Sequence, residues 1–222
     1  MAMAQPCQIL LMRHATVDAQ WQGKFLGAGD PPLSDDGLAQ ARWWQGELAS
    51  LPLHRIICSD QKRAQQTAQI IAEGQCIPVE ALSALREVDL GLWEGLSSAQ
   101  VRQRYPEEYE QRGRDLAGFP PPGGESLAEM SARVLPVWRD LYASEARRIL
   151  VVAHAGVLRV ILCDVMGIDL NRALSWRLDH ASLSLLQYSD ARFTLLACNL
   201  PPFQTSLAEH YLGPSASGGI AS

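Results

Sequence analysis

Two short apolar runs, each ending in a histidine, restrict this chain more than any other feature. Ile9-Leu10-Leu11-Met12 leads into Arg13-His14-Ala15, and Ile149-Leu150-Val151-Val152-Ala153 leads into His154-Ala155-Gly156. Apolar runs of this length, bounded by polar residues, suit strands buried on both faces at the centre of an α/β sheet. Such sheets bind ligands outside the carboxyl ends of their strands. A lone histidine after a strand is ordinarily a hydrogen-bonded structural residue. Two such strands, one of them also delivering an arginine, point to a single shared site.

The 222 residues are 47% hydrophobic, enough to bury one substantial core without a second domain. We expect one domain over residues 1–212, with an excursion at 96–124 over the sheet and a small, polar, mobile tail at 213–222. A net charge of -5 disfavours nucleic acid held on a basic surface and leaves room for a local cationic pocket. Lys24 and Lys62 are the only lysines, so the positive charge is nearly all arginine. The cysteines, Cys7, Cys58, Cys76, Cys163 and Cys198, lack C-x-x-C spacing and read as reduced core residues. No secretory pattern and no run of transmembrane length is present, so the expectation is a cytoplasmic protein with no membrane partner.

Along the chain, residues 21–32 read as a Gly-rich loop, and Ser34 caps a helix running to about Leu51 with Leu38, Ala41, Trp44 or Gln45, and Leu48 inward. Trp43 and Trp44 cannot both point inward; one covers a neighbouring helix or, in a homodimer, a subunit contact. A strand at 54–58, a turn at Ser59-Asp60, a helix at 62–73 and an extended piece from Ile77 follow. A polar helical region runs from Ser97 through Tyr109, and residues 113–124 are rich in Gly and Pro. Ser126-Leu127-Ala128-Glu129 forms a capping box for a helix that Pro136 should kink or break. A helix over 156–166 stops at Gly167, and residues 182–188 and 193–198 form a closing hairpin.

Four pieces require one site: Arg13-His14, residues 59–64 with Arg63, residues 85–91 with Glu87, and His154-Ala155-Gly156. Three of them follow strand ends, so Arg13, Arg63 and two imidazoles can surround one tetrahedral anion. Glu87 is then the only carboxylate among cations; its ordinary alternative is an exposed acid or a partner of Arg86.

These segments resemble the histidine phosphatase superfamily, of phosphoglycerate-mutase-like fold, in the family's own order. Its R-H-G falls on Arg13-His14-Ala15, its D-x-P-L-S-x-x-G on residues 30–37 and its S-D-x-x-R-A-x-Q-T-A on 59–68. Its E-x-D-x-G-x-W-E-G falls on 87–95, its P-P-G-G-E-S on 121–126 and its H-x-G on 154–156. Ala15, Val17 and Gln20 depart from the usual glycine, hydroxyl residue and asparagine. The resemblance implies a three-layer α/β sandwich around a central, mostly parallel mixed sheet. It makes His14 the nucleophile, Arg13, Arg63 and His154 the holders of the phosphoryl oxygens, and Glu87 the proton donor and later the base. It calls for no metal or other cofactor. Thr16, Gln20, Lys24 and Ser126 are candidate substrate contacts, Thr16 offering a hydroxyl beside the position where the family usually has one.

The implied activity is hydrolysis of a small phosphorylated metabolite, a phosphomonoester, through phosphohistidine. Glu87-Val88-Asp89-Leu90-Gly91 follows the phosphatase branch, not the E-R-H-Y-G of the mutases. Within that branch the look is of α-ribazole phosphatases and fructose-2,6-bisphosphatase-like enzymes, with α-ribazole 5'-phosphate a candidate substrate. Mutase-type phosphoryl transfer and a non-catalytic phospholigand-binding protein are the alternatives. A metal site using His14, His154 and a cysteine is disfavoured by the surrounding arginines, which repel cations.

Overall fold

The computed structural model describes residues 6–204, 206 and 207. The expected domain end at 212 and the tail at 213–222 lie outside the described residues. The strands are β1 (Cys7–Arg13), β2 (Arg55–Ser59), β3 (Val79–Leu82), β4 (Arg148–Ala153), β5 (Leu183–Ser189) and β6 (Arg192–Leu200). They form one sheet in the order β3-β2-β4-β1-β5-β6. The first four run parallel, and β5 and β6 run antiparallel to their neighbours. Strand β1 therefore sits between β4 and β5, and its carboxyl end adjoins both the end of β4 and the chain just before β5.

The helices are α1 (Asp35–Leu48), α2 (Lys62–Ala72), α3 (Ser98–Arg104), α4 (Pro106–Arg114), α5 (Leu127–Tyr142) and α6 (Ala155–Met166). On β1, Ile9 and Leu11 pack in a core with Met130 and Trp138 of α5 and Leu158 and Ile161 of α6. The alternate residues Leu10 and Met12 pack in another with Trp44 and Leu48 of α1 and Ala68 and Ile71 of α2. Burial on both faces explains why the run is apolar without alternation. Each such side chain contributes roughly 1.5–3 kcal/mol. The result is the expected three-layer α/β sandwich.

Several local expectations change. Helix α1 ends at Leu48, three residues early. Trp44 is the inward residue, its indole donating to Ala181 O at 2.7 Å. Trp43 meets Phe203 at 5.7 Å between ring centroids, so a later segment of the same chain covers it. The helical excursion reaches Arg114, beyond Tyr109, and is two helices parted at Tyr105 (φ -134°, ψ 57°). The ring of Pro106 disfavours helical geometry in the residue before it and suits the first turn of α4. Helix α5 runs unbroken through Pro136. Pro136 and Ala132, whose carbonyl loses its partner, are both exposed, so water can satisfy that oxygen. Cys76 is exposed, not a core residue, while Cys7, Cys58 and Cys163 are buried. The hairpin turns on Asp190 and Ala191, both at positive φ, matching the twist of the strands it joins.

Candidate active site

Because β1 and β4 pair, the histidines that follow them stand side by side. His14 N–H donates to Ala153 O at 2.9 Å, and the His14 and His154 ring centroids are 5.2 Å apart. His14 is 3% exposed. Its Nδ1 lies 2.8 Å from Ala15 O, and a carbonyl only accepts, so the ring proton sits on Nδ1. The opposite nitrogen, Nε2, keeps its lone pair and accepts from Arg63 Nε at 3.2 Å. Burial, followed by the fields of His154, Arg13 and Arg63, holds His14 well below the usual histidine pKa. The ring is thus neutral and oriented, with the lone pair of Nε2 turned toward Arg63.

Arg63, on the first turn of α2, is fully buried. It donates to Gly29 O at 2.6 Å, Gly27 O at 3.1 Å and Gln61 Oε1 at 3.3 Å. Most of its fork therefore ties down the loop after β1, and its remaining reach is toward His14. Arg13 donates through Nη1 to Leu178 O at 2.7 Å and through Nη2 to His180 Nε2 at 2.8 Å. His180 is a third imidazole, 5.2 Å from His14 between ring centroids. Its pKa is pushed down to about 3 by burial first, then by Arg13 and Arg63. It is therefore an uncharged acceptor that holds Arg13 without neutralising it. Burial lowers Arg13 itself to about 10, still cationic at neutral pH.

Among the described residues, Arg13 Nε and both ring nitrogens of His154 are buried without a hydrogen-bond partner. A buried polar group left unpaired costs about 1–3 kcal/mol. His154 is kept neutral by burial and the nearby arginines, so it offers one N–H. Such donors beside an unprotonated His14 Nε2 suit an oxyanion.

Glu87 reaches this group from the chain after β3. Its Oε2 accepts from Gly156 N–H at 3.1 Å and its Oε1 from Val88 N–H at 3.0 Å. A Cβ on Gly156 would collide with Oε1, which explains glycine in H-x-G. Arg86 is occupied by Asp60, with two contacts of 2.7 Å, so it is not the partner of Glu87. Glu87 lies on the rim of two cavities. One, of about 530 Å³, is bordered by Asp30, Asp60, Asp89 and Glu125, with Arg86 and Arg133 in ion pairs. The other, of about 210 Å³, is bordered by Lys24, Arg112, Arg159 and Gly156 together with apolar side chains.

The candidate substrate contacts separate. Lys24 borders the smaller cavity. Thr16 directs its hydroxyl to Gln40 Oε1 on α1 at 3.0 Å, and its carbonyl packs closely against Gly37; it fastens α1 to the loop. Gln20 is exposed in a short 3-10 turn capped by Asp18, and it borders neither cavity. Ser126 is the N-cap of α5: its hydroxyl donates to Glu129 Oε2 at 2.8 Å and accepts from Glu129 N. The capping role occupies its hydroxyl. Sequence reading missed His180, Arg159 and Gln61, whose Oε1 accepts from Glu87 N at 2.9 Å. No group of three or more His, Cys, Asp or Glu among the described residues is placed to hold a metal ion. None of the described helices is long and apolar enough to cross a membrane.

The sequence profile of the histidine phosphatase superfamily (branch 1) matches residues 9–201. The chain belongs to the histidine phosphatase superfamily. It is 31% identical over 196 residues to a protein of Hydrogenobacter thermophilus named phosphoserine phosphatase 1, covering 87% of this chain and 92% of that one. It is 26% identical to adenosylcobalamin/alpha-ribazole phosphatase of Salmonella typhimurium, covering 86% and 96%. A solved structure of a putative alpha-ribazole-5'-P phosphatase from Escherichia coli superposes with a TM-score of 0.80 at 27% identity, covering 87% and 96%. A mycobacterial glucosyl-3-phosphoglycerate phosphatase superposes with a TM-score of 0.79 at 27% identity, covering 88% and 100%. The phosphoglycerate-mutase-like fold and the enzyme class, a histidine phosphatase acting on a small phosphorylated metabolite, stand with this membership.

Proposed function

We propose that this chain hydrolyses its phosphomonoester through a phosphohistidine on Nε2 of His14. The observation that carries this reading is the unprotonated Nε2 of a buried ring flanked by unpaired donors on Arg13 and His154. The phosphoryl group enters beside Nε2, and Arg63 Nε–H passes from the ring to a phosphoryl oxygen. Arg13 Nε–H and the His154 N–H take the other oxygens. Phosphoryl transfer gains most from such positioning and fixed positive charge. Glu87 gives a proton to the leaving alcohol, then takes one from the water that attacks phosphohistidine.

Relatives named as phosphatases favour hydrolysis over mutase-type transfer and over non-catalytic phospholigand binding. α-Ribazole 5'-phosphate is supported by the names of relatives alone, and another relative is named for phosphoserine. The reading takes the domain to be soluble and to need no cofactor. Rapid quench with phosphate-labelled substrate should trap an acid-labile, base-stable phosphoprotein in wild type and none in His14→Ala. Unlabelled wild type, with His14→Ala still turning over, would sink the mechanism.

A further inference from the structure

The smaller cavity holds two cations that phosphoryl transfer does not employ. Arg112 comes from α4, the excursion that crosses the site, and Arg159 from α6, five residues after His154. Both are half-buried. Arg112 donates only to a carbonyl, Phe119 O at 3.4 Å, and lies 5.8 Å from the Trp93 ring centroid. Arg159 donates to Trp176 O at 3.1 Å. Among the described residues neither makes an ion pair, and Lys24 opens onto the same space. The other arginines of the excursion differ: Arg114 pairs with Glu110, Arg102 lies over Tyr109 on the surface, and Arg104 is exposed.

Charge decides what such a cavity accepts. Glu87 is the carboxylate whose field reaches Arg13, Arg63, Arg112 and Arg159 alike. A phosphomonoester dianion matches Arg13 and Arg63. When Glu87 carries the proton it must donate, Arg112 and Arg159 have no counter-charge. Partly desolvated cations without one are costly, and a guanidinium is suited to a carboxylate or phosphate. The acidic character of the larger cavity excludes an anion from the other side of Glu87.

We propose that the alcohol half of the substrate carries a second anionic group, a carboxylate or a second phosphate, held by Arg112 and Arg159 in the cavity beside Glu87. This rests on the phosphatase reading for the location of the first phosphate. It disfavours esters whose alcohol half is uncharged.

A matched series tests it: n-butyl phosphate, 3-phosphooxypropionate and 1,3-propanediol bisphosphate, with p-nitrophenyl phosphate as a general substrate. Wild type should show kcat/KM about tenfold or more higher for at least one anionic ester than for n-butyl phosphate. The better of the two identifies the second group. Arg112→Gln should remove most of that preference while leaving n-butyl phosphate within about twofold, and Arg102→Gln should change neither. Arg159→Gln should behave like Arg112→Gln if it folds; Arg112 lies on the excursion and tests the idea without it. Hydrolysis of p-nitrophenyl phosphate with no preference in the series, or a preference surviving Arg112→Gln, overturns the anion subsite and leaves the phosphatase reading intact. If p-nitrophenyl phosphate is not hydrolysed, calorimetric binding of the same esters decides. Tighter anionic binding lost in Arg112→Gln then supports the subsite while the catalytic reading falls, and equal binding overturns the subsite too.

Discussion

His180 Nε2 stands 2.8 Å from Arg13 Nη2 and is kept uncharged, so the guanidinium is aimed without being neutralised. A carboxylate in that place would also orient Arg13, and would compete with the phosphoryl oxygens for its charge.

His180→Leu should therefore lower kcat/KM about tenfold or more, since a hydrogen bond to a charged group is worth ~1.5–3 kcal/mol. His180→Gln, which keeps a neutral acceptor, should recover most of the loss. His180→Glu should be worse than Leu despite its acceptors, with weakened inhibition by orthophosphate. Equal kinetics for wild type and His180→Leu would remove the residue from the site.

Glu87 should matter according to the basicity of the oxygen that leaves. An alkoxide needs a proton and p-nitrophenolate scarcely does. In single-turnover phosphorylation, Glu87→Gln should slow alkyl esters severely and p-nitrophenyl phosphate mildly. With the latter it should show a burst of nitrophenol and accumulate phosphohistidine, because the water-activating step is also lost. Equal losses for both substrates would make Glu87 a structural residue.

Ser126 and Glu129 cap α5 reciprocally. Ser126→Ala should lower stability by about 1 kcal/mol in urea unfolding and leave KM unchanged. A raised KM at unchanged stability would restore Ser126 as a substrate contact.

Acid should destabilise the free protein steeply. His14, His154 and His180 all have depressed folded-state pKa values, so each contributes stability that is intact above the unfolded value and is lost as pH falls. The unfolded chain takes up these protons near pH ~6.5 while the folded one refuses them, at about 1.4 kcal/mol per pH unit for each histidine. For His180 the loss runs on toward pH 3, where its folded pKa of about 3 lies. Urea midpoints should fall sharply below pH ~6.5, and His180→Gln should soften the slope. A flat profile from pH ~7 to ~5 would contradict the burial of uncharged rings.

The parts of the site legible in the sequence are those attached to unbroken apolar runs. His14 and His154 end strands whose dry surroundings permit few polar residues, and Arg63 and Glu87 lie in spaced motifs. His180 follows no such run. It reaches Arg13 because Leu183 pairs with Met12 across antiparallel strands, bringing the chain before β5 to the end of β1. That pairing is a tertiary fact. Arg159 did have a signal, a lone charge within Val157-Leu158-Arg159-Val160-Ile161 on an otherwise apolar helix. Thr16 and Ser126 have local partners that a phosphate motif does not reveal: the Thr16 hydroxyl bonds Gln40 within α1, and the Ser126 hydroxyl caps α5.

The parallel pairing of β1 with β4 also governs how the protein gains its activity. Gln8 and Arg148, 140 residues apart in the chain, are register partners, and the two strand-end histidines meet only once that pairing exists. Closing so large a loop must precede the contacts that reward it, which makes the step slow relative to local helix formation. On dilution from urea, far-UV circular dichroism should recover before turnover does, and a nascent chain lacking β4 would hold His14 without His154 beside it. Assembly of the histidine pair should therefore be a late event of folding.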